Sequence, residues 1–146
     1  SGTGLRLVRT VAGLRTFDWA PDGRQLVYAT LSSGLRLLTV DTGADTPLVN
    51  DQFASSPAWS PDGRRIAYVC LSALCLVNAD GTGVTRLPPE ILTGTYPEPL
   101  VWSPDGRWIA QPRNPVSDGG VNIRAPDGTV AAQILRGQGI RYLSWW

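Results

Sequence analysis

The chain has 146 residues with 16 Gly, 12 Pro and only 17% charged residues, and its 13 basic and 12 acidic side chains leave a net charge of +1. That is enough chain for one hydrophobic core, and the Gly and Pro content suits short strands joined by tight turns better than helices. The basic residues, all Arg, are scattered, which argues against a nucleic-acid partner, and the absence of His removes the commonest general base and metal ligand at neutral pH.

The first apolar segment, Leu5-Arg6-Leu7-Val8, lies 11 to 14 residues before Trp19. It is read as the outer strand of an incomplete unit. Trp19-Ala20-Pro21-Asp22-Gly23-Arg24 follows, and the same mark returns as Trp59-Ser60-Pro61-Asp62-Gly63-Arg64 and Trp102-Ser103-Pro104-Asp105-Gly106-Arg107. The Trp spacings are 40, 43 and, to Trp145 in the closing Leu143-Ser144-Trp145-Trp146, 43. A fixed spacing of this size defines a repeat protein. The repeats start near 16, 56 and 99, with a fourth beginning near 142, inside one domain spanning 1–146.

Each repeat reads as four strands. The first, strand a, ends at the Trp. Strand b is Leu26–Ala29, Ile66–Val69 and Trp108–Ala110, and strand c is Leu35–Leu38, Leu74–Val77 and Val121–Ile123. Turns at Asp41-Thr42-Gly43, Asp80-Gly81 and Asp127-Gly128 lead to strand d, in Pro47–Val49, Val84–Leu87 and Val130–Leu135. These are strand lengths bounded by turn residues. In the first turn Pro presets φ, Asp can bond its own backbone and Gly takes the left-handed conformation. Several b and c strands are apolar at successive positions, as in a sheet covered on both faces.

Four-stranded antiparallel meanders stacked face to face around an axis make a β-propeller, with the repeated Trp19, Trp59, Trp102 and Trp145 filling the space between blades. The fold class is therefore all-β, a partial propeller of about three complete blades with an N-terminal outer strand and a C-terminal inner strand. Trp-Ser-Pro-Asp-Gly-Arg, then Ile-Ala-Tyr, an apolar strand and Asp-Gly resemble the TolB-type propeller repeat, a relative of the WD-repeat propellers, over nearly the whole chain. Ala20 and Trp146 depart from the Ser of the motif. Three blades cannot close a ring, so closure is expected either by a head-to-tail second copy or by blades of a longer chain. The lack of Met points to a processed product or an excised segment.

Candidate chemistry is sparse. Cys70 and Cys75 flank a short b-to-c turn and are either a cross-hairpin disulfide or two small buried hydrophobes; with no third Cys a zinc site is not expected. Asp22, Asp62, Asp105, Asp41, Asp80 and Asp127 occupy repeated turn positions and are assigned to turn chemistry. No Gly-x-Ser-x-Gly nucleophile motif occurs. Catalytic, cofactor-binding and metal residues are therefore expected to be none, with no cofactor.

The long connections Pro88–Pro99 and Gln111–Gly120 belong to the loop types that gather at one end of the blades. That face would carry Phe53, Tyr96, Glu98, Arg113, Asn114 and Asp118, a mixture suited to protein or peptide, or else ordinary loop variation. The most apolar run, Ile66–Val77, is too short for a membrane-spanning helix, so no membrane insertion is expected. The reading is a non-enzymatic scaffold for protein partners or self-association, as the resemblance implies for periplasmic TolB-like proteins, and extracytoplasmic if the cysteines pair. The alternative is the substrate-gating propeller of a serine peptidase or hydrolase whose catalytic domain lies elsewhere.

Overall fold

The Pro-Asp-Gly turns are where the chain organises itself. In the computed structural model, which describes residues 6–71, 73–88, 99–113 and 120–136, the Gly N–H closes each turn onto the carbonyl three residues back, Ala20, Ser60 or Ser103, at 2.9 Å. The Asp Oδ1 accepts the N–H of the following Arg at 2.9 Å for Asp22 and 3.0 Å for Asp62 and Asp105. Gly23, Gly63 and Gly106 all have φ near +69° or +68°, a conformation in which a Cβ would be strained.

The motif Ser adds a further layer. The Ser60 hydroxyl donates to Asp62 Oδ1 at 2.6 Å and accepts the Arg65 N–H at 2.9 Å, so it ties the turn to the start of the next strand. Ser103 does the same with Asp105 and the Trp108 N–H, at 2.6 and 3.0 Å. Ala20 has no hydroxyl with which to do so. The Ser60 bond, followed by the Arg64 N–H, holds the Asp62 carboxyl below its ordinary value. A depressed carboxyl stabilises the fold above the ordinary Asp range, near 3.8, and that contribution is lost as pH falls through the depressed value. Ser60→Ala is thus expected to cost about 1–2 kcal/mol at neutral pH and to shrink the acid-induced loss, while Ala20→Ser gains up to about 1 kcal/mol. Urea unfolding at neutral and acid pH reads both effects.

Three antiparallel sheets result, each running in sequence order from edge to edge. The first holds β1 (Leu14–Trp19), β2 (Gln25–Thr30), β3 (Gly34–Thr39) and β4 (Ala44–Val49). The second holds β5 (Ser55–Trp59), β6 (Arg65–Cys70), β7 (Ala73–Asn78) and β8 (Thr85–Arg86), and the third β9 (Val101–Trp102), β10 (Ile109–Arg113), β11 (Gly120–Arg124) and β12 (Val130–Arg136). No helix occurs among the described residues, so none there could cross a membrane. The edge strands β1, β5 and β9 are neighbours. The sheets are therefore blades stacked side by side around those inner strands, a partial β-propeller.

Proline marks where the ladders are open. Pro47 lies in the outer edge strand β4, and Pro57 lies in β5 within a register shift between Ser55 and Ala58. Pro112 extends β10 beyond the expected end at Ala110; it pairs with Val121, but β9 covers only Ile109 and Ala110 on the other side. An N–H missing from that uncovered side costs no ladder bond. The second outer strand is shorter than expected, reduced to Thr85–Arg86.

The N-terminal segment departs from expectation. Residues 6–8 form no strand, and among the described residues no strand pairs with them. They run along the outside of the first blade, where the Arg6 guanidinium donates to the Val40 and Asp41 carbonyls at 3.0 and 3.2 Å. Arg9 Nε reaches Asp45 Oδ2 at 2.9 Å.

The core lies between blades. One cluster joins Val27, Ala29 and Leu35 of the first blade to Trp59, Ile66 and Tyr68 of the second. Another joins Ala58, Ala67, Leu74 and Leu76 to Trp102 and Ile109. Successive apolar positions on the b and c strands are used on both faces of the sheet.

Candidate functional site

Each filled junction is built by the Trp of one blade packing back onto the blade before it. Trp59 and Trp102 are each 6% exposed, whereas Trp19 is 49% exposed. Trp19 therefore fills no junction among the described residues, contrary to its expected role, because packing runs backwards along the chain and the first blade has no described blade before it. Phe17 and Leu14 on the same strand are also exposed. Trp145 lies outside the described residues.

The two junctions are keyed differently. Between the second and third blades, Trp102 Nε1 donates to the Ala58 carbonyl at 3.0 Å in a buried site, with the Arg65 guanidinium 5.5 Å from the ring centroid. Between the first and second blades the acceptors are side chains. Asp18 Oδ2 accepts the Trp59 backbone N–H at 2.7 Å, and Thr16 Oγ1 accepts the Ser56 N–H at 3.0 Å. Burial pushes the Asp18 carboxyl up, and its bonds from the Trp59 and Trp19 N–H groups offset part of that rise. Ser56 has φ +50°, and this local bend accompanies the register shift of β5.

The inner strands border a cleft of about 350 Å³ whose walls include Phe17, Asp18, Pro57, Trp59, Leu100 and Trp102. Among the described residues that line it, Asp18 carries the charge. Among the described residues no group of three His, Cys, Asp or Glu is placed to hold a metal ion.

On the outer side of the first blade lies a second polar cluster. The Asp45 side chain is 2% exposed and is bonded by Arg36 Nε at 3.0 Å to Oδ1, Tyr28 Oη at 3.0 Å and Arg9. Burial first, and then the Asp45 carboxylate, push the Tyr28 phenol up, so Tyr28 acts as a neutral donor. This cluster went unrecognised in the sequence, where Arg36 reads as one polar residue in an apolar strand.

Cys70 and Cys75 are joined as a disulfide across the β6–β7 turn, with Cα atoms 5.9 Å apart. Of the residues proposed for the loop face, Phe53 is exposed in the β4–β5 connection. Arg113 ends β10 opposite Gly120, at the end of the blades away from the Pro-Asp-Gly turns. Tyr96, Glu98, Asn114 and Asp118 lie outside the described residues. Asp22, Asp62, Asp105, Asp80 and Asp127 each accept a backbone N–H two residues on. At the remaining turn Thr42 takes that part, accepting the Ala44 N–H at 3.2 Å.

These features define a partial β-propeller. No protein-family model matches the sequence, and no curated protein matches it. Solved structures do match. A protein described as TolB from Agrobacterium tumefaciens superposes with a TM-score of 0.75 at 23% identity over 96% of this chain and 57% of that one. TolB from Acinetobacter baumannii gives 0.68 at 16% identity over 80% and 31%, and a chain of the nidogen/laminin complex 0.68 at 16% over 82% and 48%. The similarity to TolB-type propellers is thus one of fold, and this chain spans about half or less of the length of these structures. The PQQ domain of pyranose dehydrogenase from Coprinopsis cinerea also matches, at a TM-score of 0.64, so the fold alone does not separate enzyme from scaffold.

Proposed function

We propose that the chain is a non-enzymatic propeller scaffold for protein–protein interaction and assembly, whose first blade takes a further blade against β1. The observation that carries the proposal is the exposure of Trp19 beside two equivalent, buried Trp residues. A large aromatic at a repeated packing position is suited to a partner surface like the one that covers its counterparts. The chemistry that buries Trp59 and Trp102 is the b and c face of a preceding blade of this same repeat. A second copy arranged head-to-tail, or blades from elsewhere in a longer chain, would present it.

The similarity to a chain of the nidogen/laminin complex supports a role in protein association. The disulfide supports an extracytoplasmic setting, since such bonds persist in oxidising compartments. Multi-angle light scattering at micromolar concentration tests closure by a second copy. A mass of twice 15.7 kDa that returns to the single-chain value in Trp19→Ser is expected; a single-chain mass for both proteins would remove self-closure.

A further inference from the structure

We infer that the end of the first two blades away from the Pro-Asp-Gly turns carries a docking site for a short extended peptide presenting an aliphatic or aromatic side chain beside a Lys or Arg. The inference rests on the protein-interaction reading above and adds the place and the partner's chemistry. Leu31, Phe53 and Leu71 mark the site, each more than half exposed. Leu31 and Leu71 stand at the same place in successive blades, directly after Thr30 and Cys70, which end β2 and β6. Phe53 lies in the connection that carries the chain from β4 to β5.

That connection crosses the first of the two turns. A Cβ built on Gly34, at the start of β3, would stand 2.8 Å from Asp51 N and 2.9 Å from Asp51 O. Residue 51 therefore passes directly over the first b-to-c turn. Its carboxylate also acts on Tyr68 of β6, adding to the larger effect of burial in pushing that phenol up to about 12. Phe53 is fixed to the same residue, its N–H donating to Asp51 Oδ1 at 2.9 Å. Leu31 in the first turn, against Gly13, and Phe53, held to the Asp51 that crosses that turn, thus share one end of the blades with Leu71 at the equivalent turn of the second.

Single exposed Leu residues need no explanation. Leu71, however, has φ +41°, a left-handed conformation that is unfavourable for a residue with a bulky side chain and that Gly or Asn adopts more readily. Neither solvation nor the backbone favours Leu there. The Cys70–Cys75 bond closes this same turn and so limits the ways in which Leu71 can be displayed.

The size of the patch selects the occupant. Three half-exposed side chains offer on the order of 300 Å² of apolar surface, well below the roughly 800 Å² per partner of an interface between folded proteins. A short peptide fits that footprint better than a second copy of the chain. Asp51 is the one charged residue among positions 31–34, 50–54 and 71, so a basic residue next to the apolar anchor complements it.

Selection of a random phage-displayed peptide library on the immobilised protein, then fluorescence polarisation of the recovered peptides, tests the site. Recovered sequences are expected to pair an aliphatic or aromatic residue with a nearby Lys or Arg. Phe53→Ser with Leu71→Ser should weaken their binding by about tenfold or more, and Asp51→Asn should erase the basic preference. Leu31→Ser alone should weaken binding measurably and serves as the second probe if the double variant loses its circular dichroism. Trp19→Ser should change nothing. Failure to enrich any such sequence, or equal binding to the Phe53/Leu71 and Leu31 variants, overturns the inference. Peptides that lose affinity only with Trp19→Ser also overturn it, while leaving the interaction reading intact.

Discussion

Trp102→Ala is expected to destabilise the protein by about 3–5 kcal/mol, and Trp19→Ala in the single chain by no more than about 1 kcal/mol, although the two residues hold the same place in the repeat. Trp102 packs among Ala58, Ala67, Leu74, Leu76 and Leu100, so its removal leaves a cavity between two sheets that cannot easily close. It also gives up the indole bond to the Ala58 carbonyl and a ring beneath the Arg65 guanidinium. Trp19 is half in solvent. Urea unfolding of the two variants measures the contrast. Equal costs at dilute protein would contradict the picture of one filled and one open position. A cost at Trp19 that grows with protein concentration would instead report a partner blade.

Asp45→Ala is expected to cost about 1–3 kcal/mol, because it removes a buried acceptor shared by three donors, of which Arg36 and Arg9 are 23% and 45% exposed and can turn to water instead. In a chain of this length that lowers the melting temperature by roughly 3–9 °C. Arg36 and Tyr28 lose their bonds within the blade, and Arg9 loses the anchor that holds the N-terminal segment to it. Asp45→Asn should fall between, since the amide oxygen still accepts one donor while the ionic attraction is gone. Calorimetry gives the ordering. Hydrogen exchange should show faster opening at residues 6–13 in both variants, and unchanged protection there would rule out the tether.

The architecture was legible because its determinants are local. The Ser, Pro, Asp and Gly of Trp-Ser-Pro-Asp-Gly-Arg act within a few positions of themselves, so the turn's pattern survives in one dimension, and the Trp, which packs onto the blade before, shows itself only by its repetition. Strand b of the third blade runs past its expected end at Ala110 to Arg113, and the missing neighbour beyond Ala110 shows why Pro112 is tolerated within it. Leu5–Val8 has the spacing of an outer strand, but spacing cannot supply the adjacent edge that a strand needs. Asp45 joins Tyr28 and Arg36, cross-strand partners on β2 and β3, to the distant Arg9, and the repeated motif does not announce such a meeting. For the candidate site, Phe53 was found as a loop aromatic. Leu31 and Leu71 were passed over as turn residues, although their 40-position separation equals that of Trp19 and Trp59.

The junction between the first two blades uses Thr16 and Asp18 as acceptors, while the equivalent positions of the second blade are Ser56 and Ala58. Modules that share one motif are for that reason not interchangeable. A second blade placed where the first stands would offer Trp59 no carboxylate, and a first blade placed second would set a buried negative charge beneath Trp102. The order of the blades is written in the residue just before the repeated Trp, Asp18 in one inner strand and Ala58 in the next.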